Sequence, residues 1–151
     1  MKKVRGFEVI SVYQGTDIRL PIRKTKASAG YDLSAAEDAV IAPGGSTLVP
    51  TGLKAYMQEN EVLLLYIRSS VAHKQQLMLM NSVGVIDADY YDNAENEGHI
   101  LIPLYNFGTS AVHIARGERI AQGIFTDYLA ADGDAAGIGT VRQGGFGSTG
   151  M

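Results

Sequence analysis

The sequence predicts an all-β fold, a sandwich or barrel of short strands, and three observations carry that expectation. Short apolar runs enriched in β-branched and aromatic residues recur along the chain. Glycine, proline and small polar residues separate them at close intervals. Only one stretch, residues 69–76, reads as a helix. Strands this short and this frequent belong to sandwiches and barrels.

Taken in order, the first candidate strand is 7–12, followed after a long connection by 31–35 and 39–41. Ala42-Pro43-Gly44-Gly45 then makes a turn, because proline fixes φ and glycine permits a positive one. Strands 47–49 and 53–56 flank a second turn, Pro50-Thr51-Gly52. The run 62–67 is apolar on both faces. A strand with one wet face would alternate, so this one implies cover on its second face, from another element or a partner subunit. Periodicity alone leaves a helix open here; the strand is the favoured reading. The helix 69–76 follows, then strands 83–86, 100–106, 111–114 and 120–125.

From about Ala130 the character changes. Residues 133–151 hold seven glycines and one large aromatic, Phe146, with little that packs as a core. The chain therefore divides into a globular domain, 1–132, and a glycine-rich arm, 133–151, expected to be mobile when the protein is alone.

Gross composition narrows the function. A chain of 151 residues with 46% hydrophobic and 19% charged residues is one soluble domain. A net charge of -3 gives no whole-molecule attraction to nucleic acid or to an anionic membrane, so direct nucleic-acid binding is not expected. An anionic ligand would need concentrated local cations or a metal ion. The absence of cysteine excludes disulfides and thiolate metal sites. No signal-peptide core or membrane span is present, and the cytoplasm is the expected location. His73, His99 and His113 are scattered, without the spacing of a histidine metal centre. No P-loop occurs, and no nucleophile-elbow sequence supports a triad built from Ser69 or Ser70 with His73. Gly145-Phe146-Gly147-Ser148-Thr149-Gly150 matches the dinucleotide pattern only in letters, since no helix can follow it.

Five segments stand out together. Ala29-Gly30-Tyr31-Asp32-Leu33 places a carboxylate after a glycine at a strand start, where an ordinary turn aspartate is the bland alternative. Arg68-Ser69-Ser70 sets a guanidinium and two hydroxyls at a helix start, which suits a phosphate, although serines there are usually just caps. Asn81-Ser82-Val83-Gly84-Val85-Ile86-Asp87-Ala88-Asp89-Tyr90 leads an extended segment into two acids and a tyrosine. Gly117-Glu118-Arg119-Ile120-Ala121-Gln122 turns into a strand. The fifth, 142–150, combines a cation, an aromatic plate and two hydroxyls on a free backbone, which suits closure over an anionic aromatic ligand.

In order and combination these segments resemble the five motifs of the trimeric dUTP pyrophosphatase family, over about residues 20–150, and AGYDL, RSS, GVIDADY, GERIAQ and GGFGSTG as a set are highly specific. The resemblance implies a β jelly roll, a homotrimer with sites between subunits, and Mg²⁺-dependent hydrolysis of dUTP to dUMP and pyrophosphate, which keeps uracil out of DNA and supplies dUMP for thymidylate synthesis. It implies Asp87 as the general base for water attacking the α-phosphorus, and Asp32 as the acid fixing Mg²⁺ through water. Arg68, Ser69, Ser70 and Gln122 take the place of triphosphate contacts. Asn81, Gly84 and Ile86 fall where the family forms its uracil and deoxyribose pocket, and Tyr90 where a ring packs on the sugar. Phe146 takes the place of the lid on uracil, with Arg142, Gly147, Ser148 and Thr149 as arm contacts. The chemistry is coherent, because metal and arginines neutralise the triphosphate while a carboxylate of ordinary acidity accepts the water's proton.

Two departures accompany the resemblance. After Tyr90 the family hairpin turns quickly, whereas here Tyr91-Asp92-Asn93-Ala94-Glu95-Asn96-Glu97-Gly98 forms an acidic insertion, which points to the Gram-positive and phage form. It reads as a solvated loop, with a docking surface for a protein partner as the sharper alternative. In the arm only Gln143 separates Arg142 from the Gly-Gly pair, one residue fewer than usual, so reach to the γ-phosphate is in question. The rival functions are a dCTP deaminase-like enzyme of the same fold and a nucleotide-sensing regulatory protein.

Overall fold

Side chains of a strand alternate between faces, and in the strand Leu101–Asn106 the residues Ile102, Leu104 and Asn106 are buried while their neighbours are partly exposed. That alternation, repeated across the chain, sets the architecture. The structure is a computed structural model and describes residues 2–135 and 142–145. Phe146, Gly147, Ser148 and Thr149 lie outside the described residues.

In chain order the described elements are β1 (Gly6–Val9), β2 (Tyr31–Ser34), β3 (Ala39–Ile41), β4 (Ser46–Pro50), β5 (Leu53–Tyr56), β6 (Glu61–Ile67), α1 (Ser69–Gln75), β7 (Leu77–Leu79), β8 (Gly84–Asp87), β9 (Leu101–Asn106), β10 (Val112–Ile114) and β11 (Arg119–Asp127). Short 3-10 turns occupy Ser11–Tyr13 and Ala88–Tyr90. One antiparallel sheet runs β2-β11-β6-β8 and another β4-β9-β7, with β1-β5 and β3-β10 as flanking pairs. The all-β expectation holds, and Val62–Ile67 is a strand.

The two larger sheets face each other across the core. Leu33, Leu63, Leu65 and Ile120 from one meet Leu77, Leu79, Ile102 and Leu104 from the other, all within 2% exposure. Burying each such side chain contributes roughly 1.5–3 kcal/mol. One polar residue belongs to this interior. Asn106 is fully buried and donates to the carbonyls of Ile41 and Ser110 at 2.9 and 2.8 Å, while accepting from the Gly108 N–H at 2.9 Å. It thereby ties β3 and β9 to the turn after β9.

The outer face of the four-stranded sheet is apolar where β11, β6 and β8 run side by side. In register Ile124 pairs with Leu64, and Leu64 with Val85, so these three residues form a row across the strands. Val85 is 57% exposed, and Leu64 and Ile124 are partly buried.

Two local expectations are corrected. Residue 12 does not extend the first strand: the ladder ends at Val9 opposite Leu53, Ile10 N–H goes to the Gly52 carbonyl, and Val12 stands exposed in the 3-10 turn. Leu77-Met78-Leu79, unassigned from sequence, is a strand because β9 pairs with it.

Candidate active site

Side chains that the sequence groups together fall into two sets, one at the C-terminal end of β6 and one along β8. At its C-terminal end, β2, β11 and β6 lie side by side, with Asp32 opposite Gln122 and Gln122 opposite Tyr66. Asp32 is largely buried, and its carboxylate lies 3.5 Å from Arg68 Nε and 3.3 Å from Arg119 Nη1. Arg68 caps α1, whose first residues Ser69 and Ser70 are exposed. Gly30 is glycine for a packing reason, since a Cβ there would collide with the Gln122 amide. A cleft of about 940 Å³ opens beside this set, lined in part by Arg19, Lys24, Asp32, Arg116 and Arg119. Two guanidiniums on one carboxylate leave net positive charge, which suits an anion such as a polyphosphate.

The second set lies along β8, antiparallel to β6. Asp87 pairs with Val62 and Gly84 with Leu65. Before β8 the chain turns tightly at 80–83, where Ser82 takes a left-handed φ of 64° and the Val83 N–H bonds the Asn81 carbonyl at 2.7 Å. A pocket of about 270 Å³ opens there, lined by Leu65, Asn81, Gly84, Ile86, Tyr90 and Arg142, among others. A Cβ at Gly84 would lie 2.9 Å from that of Leu65, so only glycine lets the backbone wall this pocket so closely. Tyr90, 5% exposed, is one side of it. Apolar walls with a few convergent polar groups suit a flat heterocycle and a sugar.

The arm reaches this second set within its own chain. Arg142 Nη2 donates to Asp87 Oδ2 at 2.6 Å, and its guanidinium lies 5.7 Å from the Tyr90 ring centroid. Arg142 Nε is 2.9 Å from Asp89 Oδ1 but poorly aligned, and has no hydrogen-bond partner. The Glu95 N–H donates to the Gln143 carbonyl at 2.9 Å, and Gly144 packs against Glu95 so tightly that no side chain fits. The expected mobile arm is thus, at 142–145, docked on the hairpin. Its arginine, expected on phosphates, sits between two carboxylates.

Asp87 and Arg68 do not meet. Val62, opposite Asp87, and Arg68 are six residues apart on β6 and its extension, roughly 20 Å of extended chain. Within one chain Asp87 and Arg68 therefore stand far apart along the sheet.

The insertion is also corrected. Residues 91–98 form a folded part of the domain, not a solvated loop: Asn93 is buried, Lys54 holds Asp92 at 2.6 Å and Glu97 at 2.9 Å, and the Tyr91 hydroxyl donates to Glu8. Burial and that carboxylate push the Tyr91 phenol up to about 12. Burial alone would pull the Lys54 ammonium down, but its two carboxylates outweigh it and hold it above its ordinary value. Arg119, the second cation on Asp32, was not assigned from sequence. Its signal was its place in Gly117-Glu118-Arg119, but only strand register shows what it faces.

A family model described as dUTPase matches residues 16–150. The deoxyuridine 5'-triphosphate nucleotidohydrolase of Lactococcus lactis subsp. lactis (strain IL1403) is 54% identical over 148 residues, covering 98% of this chain and 99% of its own. That of Shigella sonnei (strain Ss046) is 39% identical over 159 residues, covering 99% of each. The crystal structure of the dUTPase from Streptococcus mutans superposes with a TM-score of 0.81 at 51% identity, over 85% of this chain and 99% of that one. A dUTPase from phage phi11 of S. aureus, described for its species-specific insert, has a TM-score of 0.74 over 89% of this chain and 96% of its own, and at 22% identity shows the fold alone. A mutant of that phage enzyme coordinates a structural Mg(II) ion. The Lactococcus and Streptococcus relatives accord with the expected Gram-positive kinship. Relatives named as nucleotidohydrolases give no support to the deaminase or sensor readings.

Proposed function

The chain belongs to the dUTPase family and hydrolyses dUTP to dUMP and pyrophosphate, and on that premise we propose how its residues divide the work. Asp87 accepts the proton of a water whose oxygen bonds to the α-phosphorus. The bond from that phosphorus to the bridging oxygen breaks, and pyrophosphate departs. Arg68, Ser69, Ser70 and Gln122 hold the triphosphate, with Arg119 added by its place beside Asp32. The 270 Å³ pocket takes uracil and deoxyribose. The hairpin at Asn81, Gly84 and Ile86 reads the base through backbone groups and leaves no room for a 5-methyl group. Donors and acceptors matched to uracil discriminate against cytosine by leaving its groups unpaired. Tyr90 packs on the sugar and excludes a 2′-hydroxyl. The arm, 133–151, closes over the site and excludes water, with Phe146 stacking on uracil and Gly147, Ser148 and Thr149 adding phosphate contacts.

Mg²⁺ fits this donor set only together with substrate. No group of three or more histidines and carboxylates able to hold a metal exists among the described residues, and Asp32 already lies between two arginines. A magnesium ion keeps most of its waters and binds through phosphates and one or two carboxylates. Asp32 would hold it through water, and the ion when bound supplies neutralisation of the triphosphate.

The observation that carries the assembly is the separation of Asp87 from Arg68 along β6. A working site then takes its base from one chain and its phosphate set from another, and the apolar row Ile124, Leu64 and Val85, exposed at Val85, offers surface for that contact. A homotrimer with three shared sites meets this demand. A cysteine-free enzyme acting on free nucleotides suits the cytoplasm. Subunit complementation tests the whole proposal. Arg68→Ala and Asp87→Asn chains are each inactive alone, and after unfolding together and refolding as mixed assemblies they regain dUTP turnover. Mixtures as inactive as their parents would sink it.

A further inference from the structure

Asn93, Asn96 and Glu97 of the segment 91–98 turn inward, while Asp92 and Glu95 stay exposed. Glu97 accepts from the Ser11 N–H at 3.1 Å, the Ser11 hydroxyl at 2.9 Å and Lys54 Nζ at 2.9 Å. With the Asp92–Lys54 pair and the Tyr91–Glu8 bond, these contacts fasten the segment to the β1-β5 pair. Asp92 and Glu97 take left-handed φ angles of 55° and 65°, which fold the segment back on itself.

Inside this frame Asn93 and Asn96 close a network around Tyr90. The Tyr90 hydroxyl donates to the His99 carbonyl at 2.6 Å and accepts from Asn96 Nδ2 at 2.8 Å. Asn93 Nδ2 donates to the Tyr90 carbonyl at 2.7 Å and to Asn96 Oδ1 at 2.8 Å. Asn93 Oδ1 accepts from the N–H groups of Glu95 and Asn96, each at 3.0 Å. Asn96 Oδ1 also accepts from the Gly98 N–H at 3.1 Å. The tyrosine is therefore gripped at both ends, at its hydroxyl and at its own carbonyl. A buried network satisfied in this way is rigid.

We propose that Asn96 is a positioning residue, whose amide, itself held by Asn93, fixes the Tyr90 ring so that the sugar pocket admits deoxyribose and rejects ribose. The insertion then serves the sugar pocket as a brace. A docking surface would present its polar groups to solvent, whereas here both amides are engaged internally. The proposal rests on the reading that Tyr90 packs on the sugar.

The test compares kcat/KM for dUTP and for UTP in Asn96→Ala, Tyr90→Phe, the double variant and Tyr90→Ala. In Asn96→Ala the dUTP/UTP ratio falls about tenfold, the scale of one buried hydrogen bond, mainly through KM. Tyr90→Phe keeps the ring and removes the hydroxyl with both of its bonds, to Asn96 and to the His99 carbonyl, so it gives a fall at least as large, and the double variant falls no further than Tyr90→Phe. A purely structural asparagine would lower the melting temperature and leave the ratio alone, and that result overturns the proposal, as does additivity in the double variant. If the ratio moves in Tyr90→Ala but not in Asn96→Ala, the brace fails while the sugar reading stands. An unchanged ratio in Tyr90→Ala overturns both. Should Asn96→Ala fail to fold, Tyr90→Phe decides, with an unchanged ratio counting against the brace.

Discussion

Replacing Asp87 by asparagine separates chemistry from binding, and the structure sets the size of each effect. The substitution is isosteric and removes only the charge and the basic oxygen. Loss of a general base slows turnover by about 10²–10⁴-fold, or roughly 3–5 kcal/mol on the barrier. Stability should barely change: the Asp87 side chain is 49% exposed, and its pair with Arg142 is worth about 1 kcal/mol at most in that setting. Ground-state binding should hold or tighten, because one carboxylate beside a triphosphate is removed. A unit pair at about 4 Å in water is worth about 1 kcal/mol, a factor of roughly five in Kd. The assay is steady-state pyrophosphate release beside calorimetric binding of an α,β-imido analogue of dUTP. Turnover lowered less than tenfold, or turnover and affinity lost in step, would refute the assignment of Asp87 as base.

Gly84→Ala forces a Cβ to 2.9 Å from that of Leu65, so the core must shift; about 1–3 kcal/mol of stability is lost and KM for dUTP rises, read by melting temperature and steady-state kinetics. Val85→Glu places a charge at an exposed site, costing the isolated chain little, yet it interrupts the apolar row and yields folded, inactive monomers in light scattering and circular dichroism; an active assembly would exclude this face from the interface. His99 accepts the Gly52 N–H on Nε2 at 2.9 Å, and burial holds its imidazole below its ordinary value, against a smaller upward pull from Glu37 and Glu97. The neutral form is therefore favoured on folding. Its contribution is complete above about pH 6.5 and is lost as pH falls through the lowered folded value, a slope that His99→Gln removes from the melting-temperature profile. Below about pH 4.5 a second loss follows from Glu8, Glu61 and Glu97, which Lys3, Arg5 and Lys54 hold below the usual carboxylate range.

Elements whose signal is local were legible in sequence. The continuous apolar run of β6 and the alternation in β9 come from composition alone. β7 was not, because Leu77-Met78-Leu79 becomes a strand only through pairing with Asn106, Tyr105 and Leu104. The insertion misled for the same reason. Its polar composition reads as solvent-facing, but Glu97 finds Ser11 and Lys54 far away in sequence. At the site, motif order placed Asp32, Arg68 and Asp87, while distance did not follow from it. That Asp32 sits with Arg119, and that Asp87 lies roughly 20 Å from Arg68, depends on register across three strands.

The polarity of β6 bears on what a newly made chain can do. On the shared-site reading, with Asp87 as base at one end of the strand and the phosphate set of Arg68 at the other, a freshly folded subunit owns two halves of different sites and no whole one. Its Asp87 is moreover capped by its own Arg142. On the shared-site reading, catalysis begins only after chains find one another. The onset of activity after synthesis should then show a lag that shortens steeply as expression rises, and below the concentration needed for association the pool of folded protein should be silent.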